Sequence, residues 1–398
     1  MKRIATRELK DAWAAWPSYS EDEIAAVTRV LRSGQVNQWT GNEIGHFETE
    51  YAAALGRKHA IAVMNGTVAL ELALAALDIG AGDEVVTTPR TFIASASAAV
   101  MRGATPIMAD VDRESGNISA AEIERVLTTN TKAIIVVHLG GWPADMTAIM
   151  ELACSRGLAV VEDCAQAHGA LHRGKPVGSF GNIAAFSFCQ DKVMTTGGEG
   201  GLIALDDDAM YKAAWSLKDH GKGYDTVYNS QHPPGFQWLH DSFGTNWRMT
   251  QMQAAIGRIQ LARLEDSVAQ RRHNAALWAE HLDALPALRT PRPPDCDRHC
   301  YYRYYTYVRP EILAPGWSRD RIREELRAAG LGVTAGSCGE IYKERAFVAN
   351  KMSPAERLPI ARELSETSLA FLVHPTLPEE AIHEAGELVA SVIKAATR

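Results

Sequence analysis

The stretch "HAIAVMNGTVALELALAALDIGAGDEVVTT", residues 59–88, decides the fold. "HAIAVM" (59–64) is a short apolar run that reads as a strand. "TVALELALAALDIG" (67–80) reads as a helix closed by Gly80, and "EVVTT" (84–88) as a second strand. Short runs apolar throughout, alternating with helices, describe strands covered on both faces, as in a parallel sheet. Outward from this unit the pattern repeats. "TPIMADV" (105–111), "KAIIVVH" (132–138) and "LAVVED" (158–163) read as strands, with "FIASASAAVMRG", "AAEIERVL" and "DMTAIMELACSRG" as the helices among them. "NIAAFSF" and "LIAL" (202–205) add two more. The prediction is an α/β fold whose large domain, residues 1–260 with an N-terminal helical arm, carries a mainly parallel sheet with helices on both faces. "TQMQAAIGRIQLARLEDSVAQRRHNAALWAEHL" (250–282) has helical spacing and reads as the long connection into a smaller α+β domain, residues 261–398. There "LPALRTPRPPDCD" precedes the β-rich "YYRYYTYV" (301–308).

Composition narrows the function. A chain of 398 residues, 46% hydrophobic and 22% charged, is an ordinary globular protein of enzyme size. Its net charge of -7 gives no basic surplus for nucleic acid. The six cysteines show no disulfide framework, which fits a reducing compartment. "CDRHC" (296–300) lacks the second pair a metal knuckle needs, so no metal is expected. No signal-like leader is read in "MKRIATRELKDAWAAW", and no run approaches the roughly 20 apolar residues of a membrane span. A soluble, cytoplasmic protein is the expectation.

Open parallel sheets bind ligands beyond the carboxyl ends of their strands, and the chemistry-bearing residues gather there. "NGT" (65–67) puts Gly66 and Thr67 at a helix start, an anion site by its unpaired N–H groups or simply a cap made by Asn65 or Thr67. "EDCAQ" ends a strand with Glu162 and Asp163, which alternation sends to opposite faces, so one of them meets the crevice. Phe92 opens a helix beside the same crevice and either packs in the core or offers a flat ring. In "FSFCQDKVMTTGGEGG" (186–201), Lys192 stands framed between a strand and a glycine-rich turn, where a reactive amine can be held partly out of water. An anion cradle, an aromatic face, a carboxylate and a framed lysine are together what pyridoxal phosphate requires.

At these residues the chain resembles the DegT/DnrJ/EryC1/StrS sugar aminotransferases, which are fold-type I pyridoxal phosphate enzymes. The likeness runs from "WTGNEIGHFETEYAAALGRKHAIAVMNGTVALELAL" through "GDEVVTTPRTFIASASA", "VVEDCAQAHGA" and "AFSFCQDKVMTTGGEGG" to "GTNWRMTQMQAAIG". It implies an aspartate aminotransferase-like sheet of seven-stranded type. It also implies that Lys192 forms the internal aldimine, Asp163 pairs with the ring nitrogen and Gln166 lies near the ring hydroxyl. Phe92 would stack on the ring, and Gly66, Thr67 and Ser187 would hold the phosphate. Asn246 would reach the cofactor phosphate of a partner subunit, implying a homodimer with shared sites, and Arg248 would lie at the same interface. His168 and Glu199 are secondary candidates, as are Glu340 and Tyr342 in "AGSCGEIYKERAF" (335–347), which otherwise pack locally. Related dehydratases carry histidine at the lysine position, so Lys192 favours transamination. The expected reaction moves an amino group from glutamate or glutamine to a nucleotide-linked keto-deoxysugar. Amination of a free keto-cyclitol is the alternative, and a cofactor-binding regulator without turnover the reading from a different class.

Overall fold

Thirteen strands and the helices between them are built by the computed structural model, which describes Trp13 and residues 16–232 and 234–398. In the first two thirds of the chain lie β1 (His59–Val63), β2 (Glu84–Thr87), β3 (Thr105–Met108), β4 (Thr131–Val137), β5 (Ala159–Asp163), β6 (Leu171–His172), β7 (Lys175–Pro176), β8 (Ile183–Ser187) and β9 (Gly201–Leu205). Seven of these form one sheet in the order β1-β9-β8-β5-β4-β2-β3. β9 runs antiparallel to both its neighbours, and the remaining pairs are parallel. The quoted β1–helix–β2 stretch therefore spans most of the sheet's width. A mainly parallel sheet is what the apolar runs implied; the reversal of β9 is added by the structure.

Helices α1 (Glu21–Ser33), α2 (Glu43–Leu55), α3 (Gly66–Ala76), α4 (Ala94–Met101), α5 (Ala120–Val126), α6 (Met146–Arg156), α7 (Asp208–Lys218) and α8 (Gln251–Ala262) accompany this sheet. The expected N-terminal arm falls largely on residues 1–12, 14 and 15, which lie outside the described residues. Alternate strand residues face opposite layers. Ile61, Val63, Val161, Ile183 and Ala185 pack with α3, α4 and α7, whereas Ala60, Ala62, Ala184 and Phe186 pack with α2 and α8. Val86, Ile134, Val136 and Val160 meet α5 and α6 on that second face. Burial on both faces removes the polar alternation that a half-exposed strand would show.

The 250–282 stretch is two helices, where its spacing suggested one. α8 stops at Ala262 and α9 (Leu264–Leu282) follows, with Arg263 between them at φ −102 and ψ 2. α8 buries Ala254 against the main sheet; α9 starts in the same core with Val268 and carries Trp278 into a second cluster. Arg263, at the join, reaches back to Asp22 and Ser20 at the start of α1. The second cluster also draws on β10 (Leu288–Arg289), β12 (Tyr304–Val308), β13 (Ser368–Phe371) and α10 (Glu379–Ala396), with sheet order β10-β12-β13. A third small sheet, β11-β6-β7, pairs β11 (Asp297–Arg298) with the hairpin that follows β5. No helix among the described residues is long and apolar enough to cross a membrane.

Candidate active site

Alternation along β5 settles which carboxylate meets the crevice. Glu162 shares a face with Val160 and is closed in by the following loop, accepting hydrogen bonds from the N–H groups of Gly178, Phe180 and Gly181, each at 2.7 Å. His138 Nε2 stands 3.3 Å from it. Burial pushes the Glu162 carboxyl up, but the His138 and backbone donors outweigh it and hold the group below its usual range. Glu162 is therefore structural. His138, Glu162 and Cys164 bring possible ligand atoms within 4.8 Å of one another. They have little left for a metal, because His138 Nδ1 accepts from the Ala144 N–H and its Nε2–H is directed at Glu162.

Removing this carboxylate would strand three buried donors. Glu162→Ala is expected to lower unfolding stability by about 3–5 kcal/mol, read by urea denaturation at neutral pH. Because the folded-state pKa lies below the unfolded value, the contribution is present above the unfolded value near ~4.3 and is lost as pH falls through the folded one. An unchanged urea midpoint at neutral pH would remove Glu162 from this role.

Asp163 points the other way, onto the α3/α4 face. Its Oδ2 accepts a 2.6 Å hydrogen bond from Ser95 of α4, which also contacts Thr91 Oγ1 at 2.8 Å, and its Oδ1 accepts from the Ala165 N–H at 3.1 Å. Burial raises the Asp163 pKa; Ser95, Ala165, Lys192 and His138 pull it back without cancelling the rise. A buried carboxylate with two donors and no ion pair among the described residues has capacity for a positive partner.

Lys192 sits in the turn after β8, where its N–H bonds to Cys189 O at 3.0 Å. Its side chain is 16% exposed, with Nζ 3.4 Å from Asp191 Oδ1 and 5.0 Å from the Tyr302 ring centroid. Burial lowers its pKa, but Tyr302, Asp191 and Cys189 raise it and prevail. The glycines after it allow close approach. A Cβ on Gly201 would stand 2.2 Å from Asn65 O, so β9 and the "NGT" turn touch backbone to backbone.

That turn is also where a phosphate would fit. Asn65 caps α3 by accepting from the Val68 N–H at 3.0 Å, leaving the first-turn amides of Gly66 and Thr67 without intrahelical partners. A Cβ on Gly66 would lie 2.5 Å from Ser187 Cβ, so glycine is what lets the turn and Ser187 meet. Both readings of "NGT" are thus compatible: a side-chain cap and an open pair of amides.

Phe92 is 66% exposed, which rules out core packing and leaves its ring open. Its carbonyl accepts from the N–H of Ser95, the residue bonded to Asp163. Gln166 is buried, accepting from the Gly140 N–H at 2.7 Å and donating to Ser337 Oγ at 3.2 Å. Lys192, Asp163 and Gln166 are brought to one end of the sheet, with the "NGT" turn and Ser187 beside them. Asn246 is exposed and bridged to Asp219, and the next residue, Trp247, accepts from the Met64 N–H at 2.9 Å, just before the "NGT" turn.

The secondary candidates resolve differently. His168 is fully buried, its Nε2–H donating to Ser187 O at 2.8 Å and its Nδ1 accepting from Tyr51 OH at 2.8 Å. Burial brings its pKa down to about 4, so it is neutral and props β8 from behind. Arg248 is tied to Asp219 of its own chain at 2.7 Å. The Glu199 carbonyl holds the glycine turn through Thr196 and Gln253. Glu340 and Tyr342 are buried and bonded to each other at 2.5 Å, with Arg357 on Glu340, as local packing requires. Cys296 is exposed and Cys300 buried on either side of β11, so "CDRHC" is a strand segment. The residues missed from sequence are Ser95, Asp191, Tyr302 and Arg303; Ser95, within "PRTFIAS", and Asp191, within "FSFCQDKVMTTGGEGG", lie in stretches singled out for chemistry, whereas Tyr302 and Arg303 lie in the β-rich run 301–308.

The model of the DegT/DnrJ/EryC1/StrS aminotransferase family matches residues 17–390. A GDP-perosamine synthase of Escherichia coli O157:H7 is 42% identical over 269 residues, 68% of this chain and 71% of that protein. The dTDP-3-amino-3,4,6-trideoxy-alpha-D-glucose transaminase of Streptomyces venezuelae is 34% identical over 368 residues, 92% of this chain and 91% of its own. An aminotransferase structure from Psychrobacter cryohalolentis superposes with TM-score 0.94 at 51% identity, covering 96% of this chain and 98% of that one.

Proposed function

Because this chain belongs to the DegT/DnrJ/EryC1/StrS aminotransferase family, we propose that it uses pyridoxal phosphate held on Lys192 to transfer an amino group to the ketone of a nucleotide-linked deoxysugar. The observation that carries this reading is the pairing of a framed, mostly buried Lys192 with a buried Asp163 that makes no ion pair among the described residues, at one end of the sheet. When bound, the cofactor would supply an electron sink for charge developing at the α-carbon of the amino donor.

The chain's own residues divide the remaining work. The Gly66 and Thr67 amides and Ser187 Oγ would hold the phosphate, and Asp163 would keep the ring nitrogen protonated. Gln166 would face the ring hydroxyl, and the open ring of Phe92 would cover the cofactor's face. Lys192 would move a proton at the donor's α-carbon. The named relatives act on GDP- and dTDP-linked sugars, which supports a nucleotide-linked acceptor here.

A second copy of the chain belongs to this reading. Phe236, Trp238 and Phe243 are 76%, 79% and 102% exposed on the segment leading to Asn246. Large aromatics grouped in this way call for cover, and a partner subunit would both supply it and receive Asn246 beside its cofactor phosphate.

A two-step screen tests the function. Protein loaded with glutamate or glutamine should lose its visible absorption band, and a nucleotide-linked keto sugar should restore it. Restoration by a free keto-cyclitol alone would overturn the acceptor class, and failure of the protein to take up pyridoxal phosphate would overturn the whole assignment.

A further inference from the structure

We propose that Asp191 is the resting partner of the Lys192 amine, and that Tyr302 and Arg303 hold it in that position. This rests on the reading of Lys192 as the cofactor-holding amine. Asp191 precedes Lys192 in the turn after β8 and stands 3.4 Å from its Nζ. Left to itself, a turn aspartate that is 41% exposed would rotate into solvent. Two residues just before β12 prevent this. The Tyr302 hydroxyl donates to Asp191 Oδ2, and Arg303 Nη2 lies 3.7 Å from the same oxygen. The other carboxylate oxygen, Oδ1, is left for the lysine.

Tyr302 is itself fixed. It is 6% exposed, with the Arg303 guanidinium 4.4 Å from its ring centroid and the Lys192 ammonium 5.0 Å from it. Arg303 is anchored through its N–H to Gly140 O at 3.3 Å, in the loop whose next contact is Gln166. The brace therefore runs from the segment before β12, where Tyr302 packs into the main-sheet core, to the turn after β8.

The chemistry explains the need. A lysine that alternates between holding a cofactor and moving a proton is free for part of each cycle. Its ammonium then requires a counter-ion close by, but not one that closes over the reacting carbon. The groups facing Lys192 are Asp191 and Cys189 from its own turn, Tyr302 and Arg303 from the C-terminal part, and Asp163 from β5. Arg271 of α9 adds a positive charge on the Tyr302 and Asp191 side, and His168 is neutral. Burial pushes the Tyr302 hydroxyl upward, in keeping with its donating to Asp191. Asp191 is the carboxylate in contact with the amine, and Asp163 acts from farther off. Asp191 is accordingly a positioning residue, acting through the lysine.

The test measures Lys192 directly. In cofactor-free protein, competitive acetylation with acetic anhydride across pH, read by peptide mass spectrometry, reports the fraction of neutral amine at this lysine. Asp191→Asn should move the Lys192 curve to lower pH by about one unit, since an opposite charge at this distance favours the ammonium by roughly that much. Asp191→Glu, which keeps the charge, should return it toward wild type. Tyr302→Phe, which leaves the charge but loosens it, should give a smaller shift in the same direction. A purely structural role would lower the melting temperature of Asp191→Asn and leave the curve in place. Coincident Asp191→Asn and wild-type curves, or a shift to higher pH, would overturn the inference. Cofactor uptake by the wild type is measured in parallel. Its failure would count against the cofactor reading alone, because the acetylation curve needs no cofactor.

Discussion

Lys192→Ala protein, purified with pyridoxal phosphate present, should lose its colour on dialysis, and borohydride should no longer fix cofactor to the chain. Turnover with any amino donor and keto sugar should fall by about 10^4-fold or more, because one side chain would hold the cofactor and move the proton, and groups acting as a unit are lost together. The fold should survive. Lys192 is in a turn, its side chain is 16% exposed, and the strands on either side are paired through their backbones. The melting temperature is therefore the control, and activity without folding loss is the measurement. Retained turnover in a correctly folded Lys192→Ala protein would exclude the lysine from the reaction. Mixed dimers sharpen the outcome. If Asn246 serves a partner's cofactor, combining Lys192→Ala and Asn246→Ala chains should recover part of the activity that each homodimer lacks. No recovery in verified heterodimers would argue against shared sites.

Why was this lysine legible in the sequence when its surroundings were not? Lys192 lies between two strands whose apolar runs are continuous, and the glycines after it mark a backbone close to other backbone. Gly201 against Asn65 and Gly66 against Ser187 are such approaches, encoded by residues a few positions from the chemistry. The strands were legible for the same reason, since burial on both faces leaves runs without alternation. Alternation also announced that Glu162 and Asp163 would part, but not in which direction. That depended on the loop at 178–181 folding back to give Glu162 three N–H donors, and no local pattern records it. The contact of Tyr302 with Asp191 spans 111 residues and joins a β-rich run to a lysine turn. Either stretch is consistent alone with many partners. The break at Arg263 leaves no local mark because both sides keep helical spacing, and α9 passes from the main-sheet core at Val268 to the second cluster at Ala275 only farther on. What the sequence encodes locally is periodicity and backbone freedom, whereas pairings across cores are decided by how the layers close.

Asp163→Asn should keep the fold and retain cofactor, yet lose turnover by about 10^3-fold, the cost of removing a charge fixed in advance where the reaction develops its own. The substitution is nearly isosteric: its amide oxygen still accepts from the Ala165 N–H and its Nδ2 donates to a turned Ser95 hydroxyl, so the main quantity lost is the negative charge. Burial keeps the carboxyl pKa above the usual aspartate range, and Ser95 pulls it down by favouring the ionised form. Activity that needs Asp163 ionised should therefore fail on the acid side at a higher pH than an exposed aspartate would allow. Ser95→Ala removes a donor to the carboxylate. It should raise that pKa further and carry the acid limb of the pH–rate profile upward by about one unit, the equivalent of one hydrogen bond to a charged group. Asp163→Asn should show no such limb from this group. Two variants with opposite demands on the same oxygen thus separate charge from shape. Full activity in Asp163→Asn, or an acid limb that Ser95→Ala leaves in place, would mean that the crevice stabilises its positive partner by other means than this carboxylate.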